Sequence, residues 1–549
     1  MLGAARMAHT ARKRKIDRKG LLSDIGSCSM SFMARSARAQ RLAAVLGRSV
    51  SSMVCLVLVA AGGCRGGAGM TDGAPDVDAG GLIGDDDEGR EGACPEGCRI
   101  AGSCIDANTV NPEKPCQVCF PSLSGTAWTT MDDGVKCDDG QFCNGADTCL
   151  GGECRSHAGA PCPGNTECSE KRKACVCGPG WAGLSCSRCL IYVRPSGDDT
   201  RSGGTWTDAV ATVGAALEKA APNGCEIWVA AGTYYPPVAP GPLSSREATL
   251  ALREGVALYG GFTGQEAMRS ERDFKRHVTV LSGDIGVPNV ASDNSYYVVS
   301  GVDGATLDGF TVTAGSIGGM YNWNSSPIVS NCVFSRNSGY AGMHNRSSPP
   351  TVASPTVANC TFVANSGYGG MFNDGSSPTV TNCIFAGNSA TTTGGGIYNS
   401  SRSSPNVTNC VFFGNTAGSA GGGVFNEASS SPNIVNSIFF GNAAASGAAI
   451  YNQSSSSAIV SHTNIQGGCP PDVTCSNIIT ADPRFVDPAN GDFRLKPDSP
   501  CIHAGNTAAL PRDAADLNGN GNTFETLPFD FDNKPRVQGP SVDMGAFER

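Results

Sequence analysis

The chain has 549 residues and a net charge of −9, with 72 glycines, 16% charged residues and 40% hydrophobic residues. The glycines follow no three-residue period and the hydrophobic content is ordinary, so neither a collagen helix nor a wholly disordered chain fits. The acidic balance disfavours nucleic acid as a partner, since phosphate backbones are bound mainly by Lys and Arg.

The first predicted element is an export signal. Several arginines precede an apolar run that ends at Ala61 and is too short to cross a bilayer. We interpret residues 1–64 as a signal region, in which 1–32 are an overcalled start and Met33 is the initiator. The small residues before Cys64 resemble the lipobox of bacterial lipoproteins, which implies lipidation of Cys64; an ordinary cleavage site is the alternative. We therefore expect export and attachment to the outer membrane or cell surface through the lipid alone.

A Gly- and Asp-rich segment, 65–93, is expected to be a flexible linker before a cysteine-rich region, 94–189. This region holds 15 of the 26 cysteines and few apolar residues, so disulfides are expected to replace a core in an oxidising compartment. Because 15 is odd, one cysteine must pair elsewhere or stay free. Zinc at Cys94-x3-Cys98 or Cys116-x2-Cys119 is the alternative.

The end of the cysteine-rich region, 154–186, resembles an EGF-like module, chiefly in its ending CVCGPGWAGLSC. The resemblance implies three disulfides, which join Cys154 to Cys168, Cys162 to Cys175 and Cys177 to Cys186. The preceding CDDGQFCNGADTCLGGEC looks like cysteine-rich repeats of surface proteins from myxobacteria-like organisms, so Cys154 fits either unit. Cys469 and Cys475 are also expected to be disulfide-bonded.

Internal repeats dominate the second half of the chain. Residues 190–300 begin with a strand, a short amphipathic helix in ATVGAALEKA and a second strand, which suits a cap. An Asn-(Cys/Ser)-x-Phe motif then recurs at Asn331, Asn359, Asn382, Asn409 and Asn436, with spacings of 28, 23, 27 and 27 residues. These periods favour single turns of a coiled sheet. Asn tolerates left-handed backbone, so Asn at each corner is expected to stack into hydrogen-bonded ladders.

This part of the chain resembles right-handed parallel β-helix proteins of the pectate-lyase-like superfamily, with repeats similar to those of polymorphic outer-membrane proteins. The N-terminal features are YVRPSGDD, VALYGGFTG and LSGDIG, and DPRFVDPANGDFRLKPDSPCIHAG with VDMGAFE is similar to a choice-of-anchor Q module. The expected fold is all-β: a right-handed parallel β-helix solenoid preceded by a disulfide-rich EGF-like region. Its expected parts are a cap and first turns, 190–300, repeats, 301–465, and an end module, 466–549.

One column of residues in the repeats is mainly aromatic. Its members, each directly after an aliphatic residue, are Tyr321, His344, Phe372, Tyr398, Phe425 and Tyr451. Strand alternation directs them outward if the aliphatic residues fill the interior. An exposed stripe of rings is typical of a sugar-binding platform, and the alternatives are a stack that only stiffens the coil or a stripe covered by a loop. A second column, Cys332, Cys360, Cys383 and Cys410, is expected to hold buried free thiols rather than metal or bridges.

Catalytic residues are scarce in the repeats. Between Asn322 and Val460 the acids are Asp374 and Glu427, on corresponding loops two turns apart, so roughly 10 Å should separate them. Such a pair is a weak candidate for glycoside hydrolysis, and solvated loop acids are the plainer interpretation.

Calcium is the one cofactor that the sequence suggests. Asp516, Asn518 and Asn520 match the first half of a D-x-[DN]-x-[DN]-G loop, whose alternating oxygens suit a hard cation. The twelfth position is Leu527 instead of Glu, so Glu525, or else Asp530 or Asp532, would have to complete the site. A polar turn is the alternative.

These patterns lead to two functional hypotheses. The first is a non-catalytic, lipid-anchored adhesion protein that binds cell-surface or extracellular polysaccharide, or another surface protein. The second is a polysaccharide lyase or hydrolase that acts in a groove of the β-helix.

Overall fold

The computed structural model describes residues 94, 96–159, 161–171, 173–178, 180–182, 186–220, 224–237, 245–453 and 455–549. The predicted signal region with Cys64 and the linker 65–93 lie outside the described residues.

The cysteine-rich region consists of short antiparallel strands cross-linked by disulfides. Its strands are Gly97–Ile100, Ser103–Asp106, Gln117–Val118, Thr129–Thr130, Lys136–Cys137, Asp147–Leu150, Glu153–His157, Thr166–Ser169, Ala174–Cys177 and Trp181–Ala182. The disulfides are Cys94–Cys104, Cys98–Cys119, Cys116–Cys149, Cys137–Cys154, Cys143–Cys168, Cys162–Cys175 and Cys177–Cys186. Every cysteine of the alternative zinc sites is therefore oxidised.

The disulfides correct one part of the EGF-like prediction. The pairs Cys162–Cys175 and Cys177–Cys186 form as the resemblance implies. The predicted bond between Cys154 and Cys168 is wrong, because Cys154 pairs with Cys137 and Cys168 pairs with Cys143. The strand Asp147–Leu150 pairs in antiparallel fashion with both Lys136–Cys137 and Glu153–His157. Cys154 therefore belongs to the same small sheet as Cys137, in the unit upstream of the EGF-like segment.

The fifteenth cysteine of the region joins it to the parallel coil. Cys189, in the strand Arg188–Val193, pairs with Cys225, which directly precedes the strand Glu226–Ala230. The two Cα atoms are 4.5 Å apart. Cys469 and Cys475 form the remaining disulfide among the described residues. This extensive oxidation indicates an exported protein.

The strands from Arg188–Val193 to Val473–Ile479 form a right-handed parallel β-helix, which confirms the predicted fold class. Each turn contributes to a first ladder, whose strands are Arg188–Val193, Glu226–Ala230, Ala257–Phe262, Thr306–Asp308, Ile328–Ser330, Thr356–Ala358, Thr379–Thr381, Asn406–Thr408, Asn433–Val435, Ala458–Ile465 and Val473–Ile479. A second ladder follows with Gly232–Tyr234, Thr279–Ser282, Phe310–Thr313, Val333–Ser335, Thr361–Val363, Ile384–Ala386, Val411–Phe413 and Ile438–Phe440.

Two further ladders complete the turn. The third ladder comprises Leu250–Ala251, Tyr297–Ser300, Gly318–Trp323, Ala341–Arg346, Met371–Asp374, Ile397–Ser400, Val424–Asn426 and Ile450–Asn452. The fourth ladder comprises Ser366–Gly367, Ser389–Ala390, Thr416–Ala420 and Ala443–Ser446, and precedes the third ladder along the chain.

Asn residues turn the chain between these ladders. The Asn of each Asn-(Cys/Ser)-x-Phe motif lies between the first and second ladders with a left-handed φ of 51° to 55°. A second column, at the end of the second ladder, bonds through both side chain and backbone: Asn388 Oδ1 accepts hydrogen bonds from the Asn365 backbone N–H and Nδ2, both at 3.0 Å. A third column links Asn322 to Asn345 and continues to Asn452, with Nδ2–Oδ1 distances of 2.7 to 2.8 Å. The predicted Asn ladders are confirmed.

The interior of the coil is filled by columns of identical residue types. Phe334, Phe362, Phe385, Phe412 and Phe439 are each fully buried and stack with ring-centroid distances of 4.3 to 5.0 Å. The column Cys332, Cys360, Cys383 and Cys410 contains buried free thiols, as predicted. Three of these thiols donate to the carbonyl two residues earlier, as Cys360 does to Ala358 at 3.2 Å. Burial raises the pKa of Cys360 and Cys410, which favours the neutral thiol.

One helix covers the N-terminal end of the coil. Val213–Lys219 begins at Thr212, whose hydroxyl accepts a hydrogen bond from the Ala215 N–H at 3.1 Å. Its apolar face buries Val213, Ala216 and Leu217 in the same cluster as the interior of the ladders.

The C-terminal residues return along the outside of the coil. The hairpin strands Phe485–Asp487 and Asp492–Leu495 bury Phe485 and Phe493 against Val411 and Ile438 on the outer face of the second ladder. Farther along, Asn382 Nδ2 donates to the Phe529 carbonyl at 2.9 Å, and Lys275 pairs with Asp532 at 3.0 Å. The segment predicted as an end module therefore also covers the side of the coil.

Short 3-10 helices occur at Phe142–Asn144, Ser245–Glu247, Arg269–Glu271, Pro488–Asn490 and Thr507–Ala509. Among the residues that the structure describes, each helix is too short or too polar to cross a membrane.

Candidate functional site

The aromatic column lies on the outer face of the third ladder, opposite a buried aliphatic column. Neighbouring rings stack along the coil, for example His344 on Phe372 at 4.7 Å and Phe372 on Tyr398 at 4.8 Å between centroids. The column lies on the outer face, as strand alternation predicts, but its Phe rings are covered, since Phe372 is 8% exposed and Phe425 is 3% exposed. His344 is also buried, whereas Tyr321, Tyr398 and Tyr451 are half-buried. The column is a covered stack, which was the alternative interpretation.

Two tyrosines outside the predicted column cover part of the stack. Tyr340 packs against His344 at 4.8 Å, and Tyr368 packs against Phe372 at 5.1 Å between ring centroids. The two tyrosine rings are stacked on each other at 5.8 Å, and Tyr340 is 40% exposed. Tyr340 and Tyr368 therefore add ring surface from the turns before the third ladder.

A groove lies beside these tyrosines, with a volume of about 400 Å³. It is lined by Ile317, Gly339, Tyr340, Gly367, Tyr368, Thr391 and Thr392. Two ring surfaces and two exposed threonines therefore form one concave surface across three successive turns.

Glycine before each tyrosine is required by the backbone. Gly339 and Gly367 have φ values of 84° and 108°, which side chains rarely adopt. A Cβ at Gly367 would lie 1.9 Å from the Gly339 carbonyl oxygen, so successive turns approach too closely for a side chain. The recurring Ser-Gly-Tyr of the sequence is the signal that could have identified Tyr340 and Tyr368.

A row of polar residues borders the aromatic stack two positions further along each strand. Its members are Trp323, Arg346, Asp374 and Ser400, and Glu427 follows in the next turn. Arg346 lies over the Trp323 ring at 5.1 Å and pairs with Asp374 at 3.2 Å. Trp323 is 47% exposed and adds a further ring to this surface.

The two candidate catalytic acids are both held by neighbouring side chains of this row and of the aromatic column. Asp374 pairs with Arg346, while Glu427 Oε1 accepts hydrogen bonds from the Tyr398 hydroxyl at 2.5 Å and from the Ser400 hydroxyl at 3.0 Å. In the ladder register Asp374 lies opposite Ser400, one turn before Glu427, so the two acids are two turns apart as expected. Neither acid contacts the other, and each carboxylate already has a partner.

His344 is a buried base within the stack. Its Nδ1 lies 3.0 Å from the Tyr297 hydroxyl, whereas its Nε2 is buried without a hydrogen-bond partner. Burial lowers the pKa of His344 to about 4, because the charged imidazolium is poorly solvated there.

We expect His344 to make the protein acid-sensitive. The folded-state pKa lies below the ordinary value of 6.5, so the unfolded chain binds the proton more readily and stability falls as pH decreases from 6.5 toward 4. His344→Phe extends the Phe and Tyr stack and should flatten this part of the profile. Urea unfolding of both proteins at pH 7.5 and 4.5 measures the effect. An equal loss of stability in the two proteins would contradict it.

The candidate calcium loop is closed by its own hydrogen bonds. Glu525 Oε1 accepts from Asn518 Nδ2 at 2.6 Å and from Asn520 Nδ2 at 2.9 Å, and Asp516 Oδ1 accepts from the Gly521 N–H at 3.0 Å. The structure thus brings together the four residues that the sequence named.

The two other acids considered for this loop are used elsewhere. Asp530 accepts hydrogen bonds from the backbone N–H groups of Asp532, Lys534 and Glu548, and Asp532 pairs with Lys275. Calcium binding by Asp516, Asn518, Asn520 and Glu525 stays a prediction.

Comparisons with known proteins agree with the architecture. The family described as right handed beta helix region matches residues 297–465. No curated protein matches the chain. The protein is therefore classified by its fold, which is a right-handed parallel β-helix.

Three solved structures illustrate the range of similar proteins. Pectate lyase Pel9A is 16% identical, with 66% of this chain and 96% of that chain covered and a TM-score of 0.40. A rhamnogalacturonan lyase is 14% identical, with 57% and 95% covered and a TM-score of 0.36. The pectin methylesterase from Aspergillus niger is 15% identical, with 54% and 83% covered and a TM-score of 0.27. At these identities the similarity concerns the fold alone.

Proposed function

We propose that this protein is a non-catalytic surface protein that binds polysaccharide in the groove beside Tyr340 and Tyr368. The observation that carries the proposal is the pair of tyrosine rings in a groove of about 400 Å³. Polysaccharide is favoured over a protein partner because the groove combines ring surfaces with hydroxyl groups and follows a repeating backbone.

The chemistry of the groove suits sugar rings. The faces of Tyr340 and Tyr368 offer apolar surface to the C–H groups of a pyranose, while Thr391 and Thr392 offer hydroxyls to its polar edges. Their neighbours in the stack hold both tyrosine rings in place, which lowers the ordering cost of binding. Successive turns repeat at about 4.8 Å, close to the length of one sugar in an extended chain.

A binding role is favoured over hydrolysis or elimination because neither acid of the polar row is available. General acid–base work needs a carboxyl group free to exchange a proton with substrate. Asp374 is engaged by Arg346, and Glu427 is engaged by Tyr398 and Ser400.

Loss of both groove tyrosines should abolish most polysaccharide binding. We expect Tyr340→Ala with Tyr368→Ala to weaken binding about 30-fold, since each ring contributes on the order of 1 kcal/mol. A glycan array identifies the ligand, and titration calorimetry with wild type and the double variant measures the change. Tyr235→Ala is the matched control, because Tyr235 is 50% exposed and does not line the groove.

Two outcomes would contradict the proposal. Equal binding by the double variant and wild type, with both folded by circular dichroism, would exclude the groove as the binding site. Turnover of a polysaccharide by wild type, lost in Asp374→Asn or Glu427→Gln, would instead establish the enzymatic alternative.

We also propose that Cys64 carries the lipid that attaches the protein to the membrane. Cys64→Ser should leave the chain unacylated and move it from the membrane to the soluble fraction, because the acyl group is the expected attachment. Metabolic labelling with a fatty acid and fractionation of both proteins measure this result. Cys55→Ser, which changes a cysteine inside the apolar run, is the control, and an unlabelled wild type would refute the proposal.

A further inference from the structure

A compact group of nitrogen and oxygen donors lies in the cysteine-rich region. Asp147 and His157 are partners at the end of the antiparallel pair Asp147–Leu150 and Glu153–His157. Asp139 and Asn144 approach them from the preceding loop. The candidate ligand atoms of Asp139, Asp147 and His157 all lie within 4.8 Å of one another.

The contacts around His157 cannot all be satisfied by hydrogen bonds. Its Nδ1 lies 2.8 Å from Asp147 Oδ1 and 3.1 Å from Asn144 Nδ2. A protonated Nδ1 can donate to Asp147 Oδ1 but cannot accept from Asn144. An unprotonated Nδ1 can accept from Asn144 but cannot donate to Asp147 Oδ1, and the Asp139 N–H reaches only the other oxygen, Oδ2, at 3.1 Å. His157 Nδ1 thus lies between an acceptor, Asp147 Oδ1, and a donor, Asn144 Nδ2. It carries either one proton or one lone pair, so it can form a hydrogen bond with only one of them at a time.

Asn144 supplies a second observation. Its Nδ2 lies 2.8 Å from Asp139 Oδ2, whereas its Oδ1 is buried without a hydrogen-bond partner. The oxygen and nitrogen of an amide are distinguished only by their partners, so the group can equally be placed with Oδ1 toward the cluster. In that orientation four donor atoms converge: three oxygens and one imidazole nitrogen. A bound cation would satisfy all four.

The loop that carries Asp139 and Asn144 is held in place from several directions. The disulfide Cys137–Cys154 lies at the start of this loop, and Cys143, bonded to Cys168, lies within it, directly before Asn144. The Glu170 carboxylate accepts hydrogen bonds from the Phe142 N–H at 3.2 Å and the Cys143 N–H at 2.5 Å. Rigid support of this kind is what a preformed metal site requires.

We propose that Asp139, Asn144, Asp147 and His157 bind one divalent transition-metal ion, for which zinc is the best fit. Imidazole with carboxylates suits zinc, whereas calcium prefers sites made of oxygen alone. Tetrahedral coordination with ligand distances of about 2.0–2.2 Å places donor atoms roughly 3.4 Å apart. The contacts of 2.8 and 3.1 Å are shorter than this, and the candidate atoms of Asp139, Asp147 and His157 lie within 4.8 Å of one another, so small side-chain shifts would place all four groups around one ion.

A second group with similar composition does not share these features. His503, Asp543 and Glu548 also lie close together, but Arg536 is buried beside them, with its Nε 3.9 Å from Glu548 Oε2. The guanidinium already supplies the positive charge that a metal ion would bring. This group therefore serves as an internal comparison.

Zinc titration of the full, untagged, oxidised chain tests the proposal. We expect one zinc ion per chain by elemental analysis after dialysis, and an affinity at least tenfold lower in Asp139→Asn and in His157→Ala by calorimetry. Asp138→Asn is the matched control in the same loop, because Asp138 accepts a hydrogen bond from the Gly140 N–H instead. His503→Ala tests the second group, and neither control should change zinc binding.

Cobalt provides a spectroscopic readout independent of the affinity. Its visible absorption should report nitrogen and oxygen coordination in wild type and should be lost in His157→Ala. Wild type without stoichiometric zinc would overturn the proposal, and so would an equal loss of affinity in Asp138→Asn. Zinc binding that persists in His157→Ala with intact disulfides, verified by mass spectrometry, would also overturn it.

Discussion

Phe385→Ala should destabilise the β-helix by about 3–5 kcal/mol, because a fully buried ring would be replaced by a cavity. Phe385 lies between Phe362 at 4.7 Å and Phe412 at 4.8 Å, with ring planes within 4° of parallel. Both neighbours would lose a stacking partner in addition to the buried surface of the ring itself. Urea unfolding followed by near-ultraviolet circular dichroism measures the change in stability.

A control separates this effect from a general cost of losing an aromatic residue. Phe524 is 76% exposed, so Phe524→Ala should change stability by less than about 0.5 kcal/mol. Phe385→Leu retains most of the apolar volume and should cost less than Phe385→Ala. A Phe385→Ala protein within 1 kcal/mol of wild type would show that the interior relaxes around the cavity, contrary to the expected tight packing.

Asn388→Ala should have a comparable effect for a different reason. The buried Asn388 side chain accepts two hydrogen bonds from Asn365 and donates to the Phe362 carbonyl at 2.9 Å and to Asn415 Oδ1 at 2.9 Å. Truncation leaves buried polar groups on two neighbouring turns without partners, each at a cost of about 1–3 kcal/mol. We expect a total loss of about 3–5 kcal/mol in the same unfolding measurement.

The matched control is an asparagine that makes no such ladder. Asn433 begins the first-ladder strand Asn433–Val435 and is exposed, so Asn433→Ala should be nearly neutral. Hydrogen exchange adds a local readout, because amides on the turns of Asn365 and Asn415 should lose protection in Asn388→Ala. Equal stability of the two variants would show that the ladder contributes little beyond an ordinary turn.

The cysteine-rich region shows how far local sequence similarity can be trusted. The resemblance to an EGF-like module correctly implied two disulfides, Cys162–Cys175 and Cys177–Cys186. The partner of Cys154 was ambiguous, because Cys154 fits both the EGF-like pattern and the cysteine-rich repeat that precedes it. Strand pairing between Asp147–Leu150 and Glu153–His157 resolved the ambiguity, and that pairing depends on contacts that cysteine spacing does not encode.

The candidate site was predicted only in part. Alternation along each strand correctly directed Tyr321, Phe372 and Phe425 toward the outside of the coil. It could not show that Tyr340 and Tyr368 fold over the stack, because their positions depend on left-handed glycines and on the turns above and below. Tyr340 and Tyr368 were therefore missed, although they lie within the same repeats.

The sequence by itself determined the coil, its period, the Asn corners and the buried columns of Phe and Cys. These features follow from residues that recur at the spacing of one turn, so that each side chain packs against a side chain of the same type in the next turn. Only the tertiary structure decided which outer faces are covered and which reach solvent. The hairpin with Phe485 and Phe493 covers the second ladder near Val411 and Ile438. Such contacts join residues far apart in the chain, and their energy depends on shape complementarity between surfaces, which no repeat period specifies.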